Sequence, residues 1–93
     1  LAACSFHTER EGGRTVVRLA GVLDPASALE LREQLEIEAA GDLVLDFSSV
    51  RELADLGVAA LAHGLAHGER RLRLRGLRRR QIEIFRYFGV PLL

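Results

Sequence analysis

Apolar residues recur along the chain with a period of two in some stretches and about 3.6 in others, and the switches between these periods mark out its elements. Residues 4–9 and 14–19 alternate loosely, and Glu11-Gly12-Gly13 between them supplies residues that tolerate positive φ, so an opening β-hairpin is predicted. Asp24-Pro25 is a helix start: a carboxylate able to cap the first turn, then a proline whose missing N–H costs nothing there. Ala28, Leu31, Leu35 and Ala39 fall on one helical face, Glu30, Arg32 and Glu33 face outward, and Gly41 ends the helix. Leu43-Val44-Leu45-Asp46-Phe47 is a nearly continuous apolar run, the pattern of a central parallel strand covered on both sides. After a brief loop, Val58, Leu61, Ala62 and Leu65 mark a second, largely apolar helix that stops at Gly68 and should be the most buried of the helices. Arg71-Leu72-Arg73-Leu74-Arg75 alternates without a break, aiming leucines at the core and arginines at water or a partner. Ile82, Phe85 and Phe88 then follow at helical spacing, closed by Gly89 and Pro91.

The order is therefore β-β-α-β-α-β-α with short connections. Strand–helix–strand crossings imply parallel pairing and right-handed connections, so the expected fold is α/β: a mixed four-stranded sheet whose first pair is antiparallel, with three helices. At 93 residues the chain fits one domain, 1–93, with one core, which excludes a multidomain enzyme or a long repeat array. A hydrophobic share of 48% and a charged share of 28% are globular composition rather than that of a disordered chain. The lone Cys4 can make no internal disulfide, which points to packing as the source of stability and to a reducing, cytoplasmic compartment. Leu1-Ala2-Ala3-Cys4 has the form of a lipoprotein cleavage box, but the plainer reading is the start of a strand. The longest uncharged run, residues 56–68, is too short to span a membrane and carries three glycines and two histidines.

Charge changes this picture in one respect. Thirteen arginines balance thirteen acids overall, yet residues 1–52 hold five Arg against ten acids (net −5) and residues 53–93 hold eight against three (net +5). Such a segregated chain favours oriented protein contacts over a general affinity for polyanions. Arg71, Arg73, Arg75, Arg78, Arg79 and Arg80 form a candidate anion or partner patch. Arg78 to Arg80 stand at the start of the third helix, where the macrodipole already disfavours cations. Solvation together with pairing to acids on the first helix is the plainest account of these arginines; a partner's acidic patch is the next, and nucleic acid or phospholipid the last.

Gly21-Val22-Leu23-Asp24 before the first helix, residues 43–50 in the central strand, and Leu53-Ala54-Asp55-Leu56-Gly57-Val58-Ala59-Ala60-Leu61 entering the second helix together resemble the STAS family. That family includes bacterial anti-sigma factor antagonists and the cytoplasmic tails of sulfate transporters. The resemblance runs on through Leu74-Arg75-Gly76-Leu77 and Phe88-Gly89-Val90. It implies a non-catalytic protein-interaction module in signal transduction and transcription regulation, with no cofactor. In the antagonists the loop before the second helix reads Asp-Ser-Ser-Gly, and phosphorylation of its second serine by an anti-sigma kinase breaks the complex. Aligned on Gly57, this chain has Ala54, Asp55 and Leu56 there. Leu56 takes the place of the phosphorylated serine and has no hydroxyl, so the resemblance implies a degenerate switch loop and binding that is not gated at that position. Asp55 either caps the second helix or places a fixed negative charge where a modified serine would carry one, and the two roles are compatible. Asp55, Leu56, Val58 and Ala59 are the expected partner-binding residues, and Ser48 and Ser49, on the loop after the central strand, are expected turn formers and the nearest alternative phosphosites.

Two partner classes fit the resemblance. One is an anti-sigma factor, kinase or stressosome-like scaffold. The other is the ATPase of a lipid-trafficking ABC transporter, because the last third is also similar to the small STAS subunit of such transporters. An Arg-driven nucleic-acid binder is the alternative from a different class, disfavoured by zero net charge. His63 and His67 have the i, i+4 spacing of shared metal ligands, but no third ligand is evident, so no metal site is expected. No P-loop, dinucleotide fingerprint or nucleophile elbow is present, and nothing supports an enzyme.

Overall fold

The computed structural model describes residues 3–37, 42–66 and 72–90. Its elements are β1 (Cys4–Glu11), β2 (Arg14–Leu23), α1 (Pro25–Ile37), β3 (Leu43–Leu53), α2 (Asp55–Ala66), β4 (Leu72–Arg75) and α3 (Arg79–Tyr87), the order expected from the periodicity. The hairpin turns on Gly12 and Gly13, both with positive φ (57° and 80°), the pair a two-residue primed turn requires. Asp24 caps α1, its Oδ1 accepting the Ser27 N–H at 2.8 Å. The end of α3 is closed by Gly89 N–H to Arg86 O at 3.0 Å and Val90 N–H to Phe85 O at 3.1 Å, the paired bonds of a Schellman motif. The ends placed at Gly41, Gly68 and Pro91, and Ala39, lie outside the described residues.

The sheet runs β1-β2-β3-β4, with β1 antiparallel to β2 and the other neighbours parallel. Right-handed crossovers between strands laid down in one direction put α1 and α2 on the same face. There Val17, Leu19, Leu43, Leu45 and Phe47 pack with Leu31, Leu35, Val58, Leu61 and Phe85 into one core. Phe85 of α3 meets Phe47 edge to face, with ring centroids 5.4 Å apart.

The expectation of a central strand covered on both sides holds, but the two faces are covered by different means. The second face carries side chains instead of helices. One row across all four strands reads His7, Arg18, Asp46, Arg75, and the next reads Glu9, Val16, Val44, Arg73. Arg18 bridges Glu9 (3.1 Å), Asp46 (3.3 Å) and Glu11 (3.7 Å), while Arg75 bridges Asp46 (3.2 Å) and Glu11 (3.3 Å). Long charged side chains cover apolar surface with their stems, which accounts for the burial of Val16 and Val44 on a face that no helix of the described residues covers. A sequence run that is apolar on both faces therefore marked burial correctly but not what provides it.

Ser48 and Ser49 are also placed differently from the expected loop: both lie within β3, at a shift in register where Arg18 pairs Asp46 but Ala20 pairs Ser49. Asp46 Oδ1 accepts the Ser48 N–H at 2.9 Å and the Ser48 hydroxyl as well. Burial pushes the Asp46 carboxyl up, but the Ser48 hydrogen bonds and Arg75 outweigh it and hold the group below the usual carboxylate range. Hydrogen bonds and charge from Arg75 do the same for Glu11.

A pH prediction follows. Carboxyls depressed in the folded state take up protons more readily once unfolded, so their contribution is complete above the unfolded values of about 4 and is lost as pH falls through the folded values beneath. Asp46→Asn should lower stability at pH 7 by about 1–2 kcal/mol, a figure discounted for partly exposed arginine partners. Thermal midpoints measured from pH 7 to pH 2 should fall less steeply in that variant than in the parent, and parallel curves would refute the assignment.

Candidate functional site

The carboxyl ends of β2 and β3 lead directly into α1 and α2, so both helices begin at one edge of the sheet. Ala54 N–H donates to Leu23 O at 3.0 Å, and Ala54 O accepts the Val58 N–H at 2.9 Å. Ala54 therefore occupies the cap position of α2 and Asp55 is its first helical residue. The sequence reading of Asp55 as the cap is corrected accordingly. Its carboxylate acts through charge on the positive end of the helix.

Gly57 is buried where this first turn crosses the end of β2. A Cβ there would lie 2.6 Å from Leu23 O and 3.0 Å from the Asp24 carbonyl carbon and oxygen, which are backbone atoms that cannot turn aside. The close approach seats the first turn of α2 against the capped start of α1. It leaves Leu56, one residue earlier, pointing outward and 73% exposed. An apolar side chain so exposed loses nothing by being covered and gains by it, at about 25 cal/mol per Å².

Of the other expected contact residues, Asp55 is exposed and Ala59 half-buried. Val58 is a correction: it is fully buried in the core between α2 and the sheet, so it supports the surface rather than contributing to it. The arginine patch is also divided. Arg75 is tied into the sheet lattice with Asp46 and Glu11, not to acids of α1, and hydrogen bonds to Glu11 and then to Asp46 push its pKa up. Arg73, Arg78, Arg79 and Arg80 are exposed, and among the described residues no ion pair engages them. Arg71, His67 and the side chain of His63 lie outside the described residues.

Sequence reasoning missed Gln81. It is buried, accepts the Arg78 N–H at 2.9 Å and donates to Val50 O at 3.4 Å, anchoring the first turn of α3 to β3. A glutamine three residues after a helix cap is the signal that marked it. The Glu9, Glu11 and Arg18 lattice was likewise legible once the hairpin was folded at Gly12-Gly13, since the register sets those strands face to face.

Among the described residues no helix is long and apolar enough to cross a membrane, and no group of three metal-ligating side chains assembles. Among solved structures the chain is similar to the unphosphorylated anti-sigma factor antagonist SpoIIAA. They share 20% identity over 92% of this chain and 82% of that one, with a TM-score of 0.68. It is also similar to an antisigma-factor antagonist STAS domain from Rhodobacter sphaeroides, at 19% identity over 98% and 84% of the two chains, with a TM-score of 0.54. A third likeness is to murine Slc26a9, an anion transporter, at 19% identity and TM-score 0.67, covering 87% of this chain and 14% of that one. No curated protein matches the chain. These identities speak for the fold, whereas the family model described as Mlab, STAS domain matches residues 6–91 of the sequence itself. With that match spanning almost every element described above, the chain belongs to the STAS domain family.

Proposed function

We propose that the chain binds a protein partner through the first turn of α2, with Leu56 as the apolar centre and Asp55 and Ala59 beside it, and that phosphorylation at this turn does not gate the contact. STAS domains are non-catalytic regulatory modules, so this reading requires no reaction. The observation that carries it is the 73% exposure of Leu56 on a turn held rigidly by the Gly57 contact. A large aliphatic side chain presented on a fixed element is the kind of anchor that an interface buries. Ser48 is a poor substitute switch, because its hydroxyl is bound to Asp46, whose charge would repel an added phosphate.

The partner in this reading is an anti-sigma factor or its kinase. A second reading, a subunit bound to the ATPase of a lipid-trafficking ABC transporter, is favoured by Leu56 itself, since a permanent subunit has no use for a release switch. Titration calorimetry against each candidate from the same host separates the two. The true partner should bind the parent chain, and Leu56→Ala should weaken it about tenfold or more. Incubation with the kinase and ATP should leave the intact mass unchanged. Phosphate on Ser48 or Ser49, or undiminished binding by Leu56→Ala, would defeat the reading.

A further inference from the structure

Three large apolar side chains are exposed among the described residues: Leu56, Leu29 (50%) and Tyr87 (83%). The docking turn accounts only for the first. Leu29 lies on the outer face of α1 among the exposed Glu30, Glu33 and Glu36, and the one arginine of that helix, Arg32, is half-buried. Tyr87 lies on the outer face of α3 among the exposed Arg79, Arg80 and Arg86, with Glu83 as the single acid. Each helix thus has an uncovered apolar residue in surroundings where one sign of charge outnumbers the other, three exposed acids to one half-buried arginine on α1 and three exposed arginines to one acid, Glu83, on α3. Helix α2 packs against both α1 and α3, so the acidic and basic faces flank the helical layer.

We propose that α1 of one copy of the chain docks on α3 of the next, so that the chain self-associates head to tail. Carboxylates beside Leu29 meet guanidinium groups beside Tyr87, and the contact desolvates both apolar side chains. Tyrosine and arginine are the residue types that most often dominate such interfaces. Zero net charge removes the long-range repulsion that ordinarily keeps copies apart. The sheet lattice does not compete, because its arginines are already paired with Glu9, Glu11 and Asp46. Different patches meet, so the contact is heterologous and builds rings or open chains rather than a two-fold dimer.

Sedimentation of the chain at about 0.5 mM and low salt should give a mass well above the 10.3 kDa monomer. That mass should fall back in about 0.5 M NaCl, where the Debye length is about 4 Å. Arg79→Glu with Arg80→Glu should leave a monomer, as should Glu30→Arg with Glu33→Arg, and mixing the two variants should restore association. Tyr87→Ser should weaken it about tenfold without any change of charge. Arg51→Glu, a reversal at an exposed position on β3, should leave it unaltered. A chain that stays monomeric at low salt, an Arg51→Glu effect equal to that of Arg79→Glu, or a Tyr87→Ser variant as associated as the parent would each overturn the proposal. So would a monomer whose α3 face instead binds a single-stranded oligonucleotide with a steep salt slope.

Discussion

Phe47→Ala is expected to lower the unfolding free energy by about 3–5 kcal/mol, the largest loss from any single truncation considered in this molecule. Phe47 is 1% exposed on the helix-facing side of β3, and its ring meets that of Phe85 at an interplanar angle of 71°. Phe85 is the fully buried apolar side chain of α3, so removing the ring it packs on takes away the aromatic contact that seats this helix on the core. The void should therefore loosen α3 before the rest of the domain. Urea denaturation gives the total, and amide exchange should show the protection of residues 82–88 falling further than that of β2 and β3. A double-mutant cycle with Phe85→Leu should return a coupling of about 0.5–1.5 kcal/mol. A loss below about 1 kcal/mol, or uniform loss of protection, would show that α3 is held by other means.

Gly57→Ala is expected to destabilise by about 2–3 kcal/mol, although helix propensity alone points the other way. Alanine inside a helix is favoured over glycine by about 1 kcal/mol, so a residue judged only by its element should gain from the change. The added Cβ would instead press on Leu23 O at 2.6 Å and on the Asp24 carbonyl, and neither strand end nor helix cap can yield without breaking the Ala54 to Leu23 hydrogen bond. The sign of the change in urea midpoint thus decides between propensity and close approach. Because the same turn displays Leu56, partner affinity should fall with stability in this variant. Leu56→Ala should reduce affinity while leaving the urea midpoint within about 0.5 kcal/mol of the parent, as for an exposed side chain.

The local chemistry was legible in the chain before any folding. Gly12-Gly13 specified its turn, Asp24-Pro25 its helix start, and the spacing of Phe85 and Phe88 the last helix, because each of these depends on neighbours within a few residues. Membership in the family was likewise legible, through Leu23-Asp24 and residues 43–61, and so was the exceptional residue in its switch loop. The sequence reading went astray over an element boundary at Ser48 and Ser49, over the cap of α2, and over facing. The apolar run of β3 announced burial on two sides, but a run of valine and leucine is the same whether a helix or a lattice of arginine stems lies above it. Val58 was placed at the partner surface because it follows Leu56, yet a helix turns about 100° per residue, and two steps carry a side chain from solvent to core.

Periodicity, caps and turn residues, which act over a few residues, determined the elements and their order, and residue type alone excludes a hydroxyl at Leu56. The tertiary structure alone decided what covers each face of the sheet, which of the described arginines are ion-paired, and that Leu56 is presented to solvent. Those outcomes depend on charges and carbonyls brought together from opposite ends of the chain, such as Glu11 with Arg75 and Gly57 with Leu23. Separation along the sequence carries no record of such distances until the strands have paired.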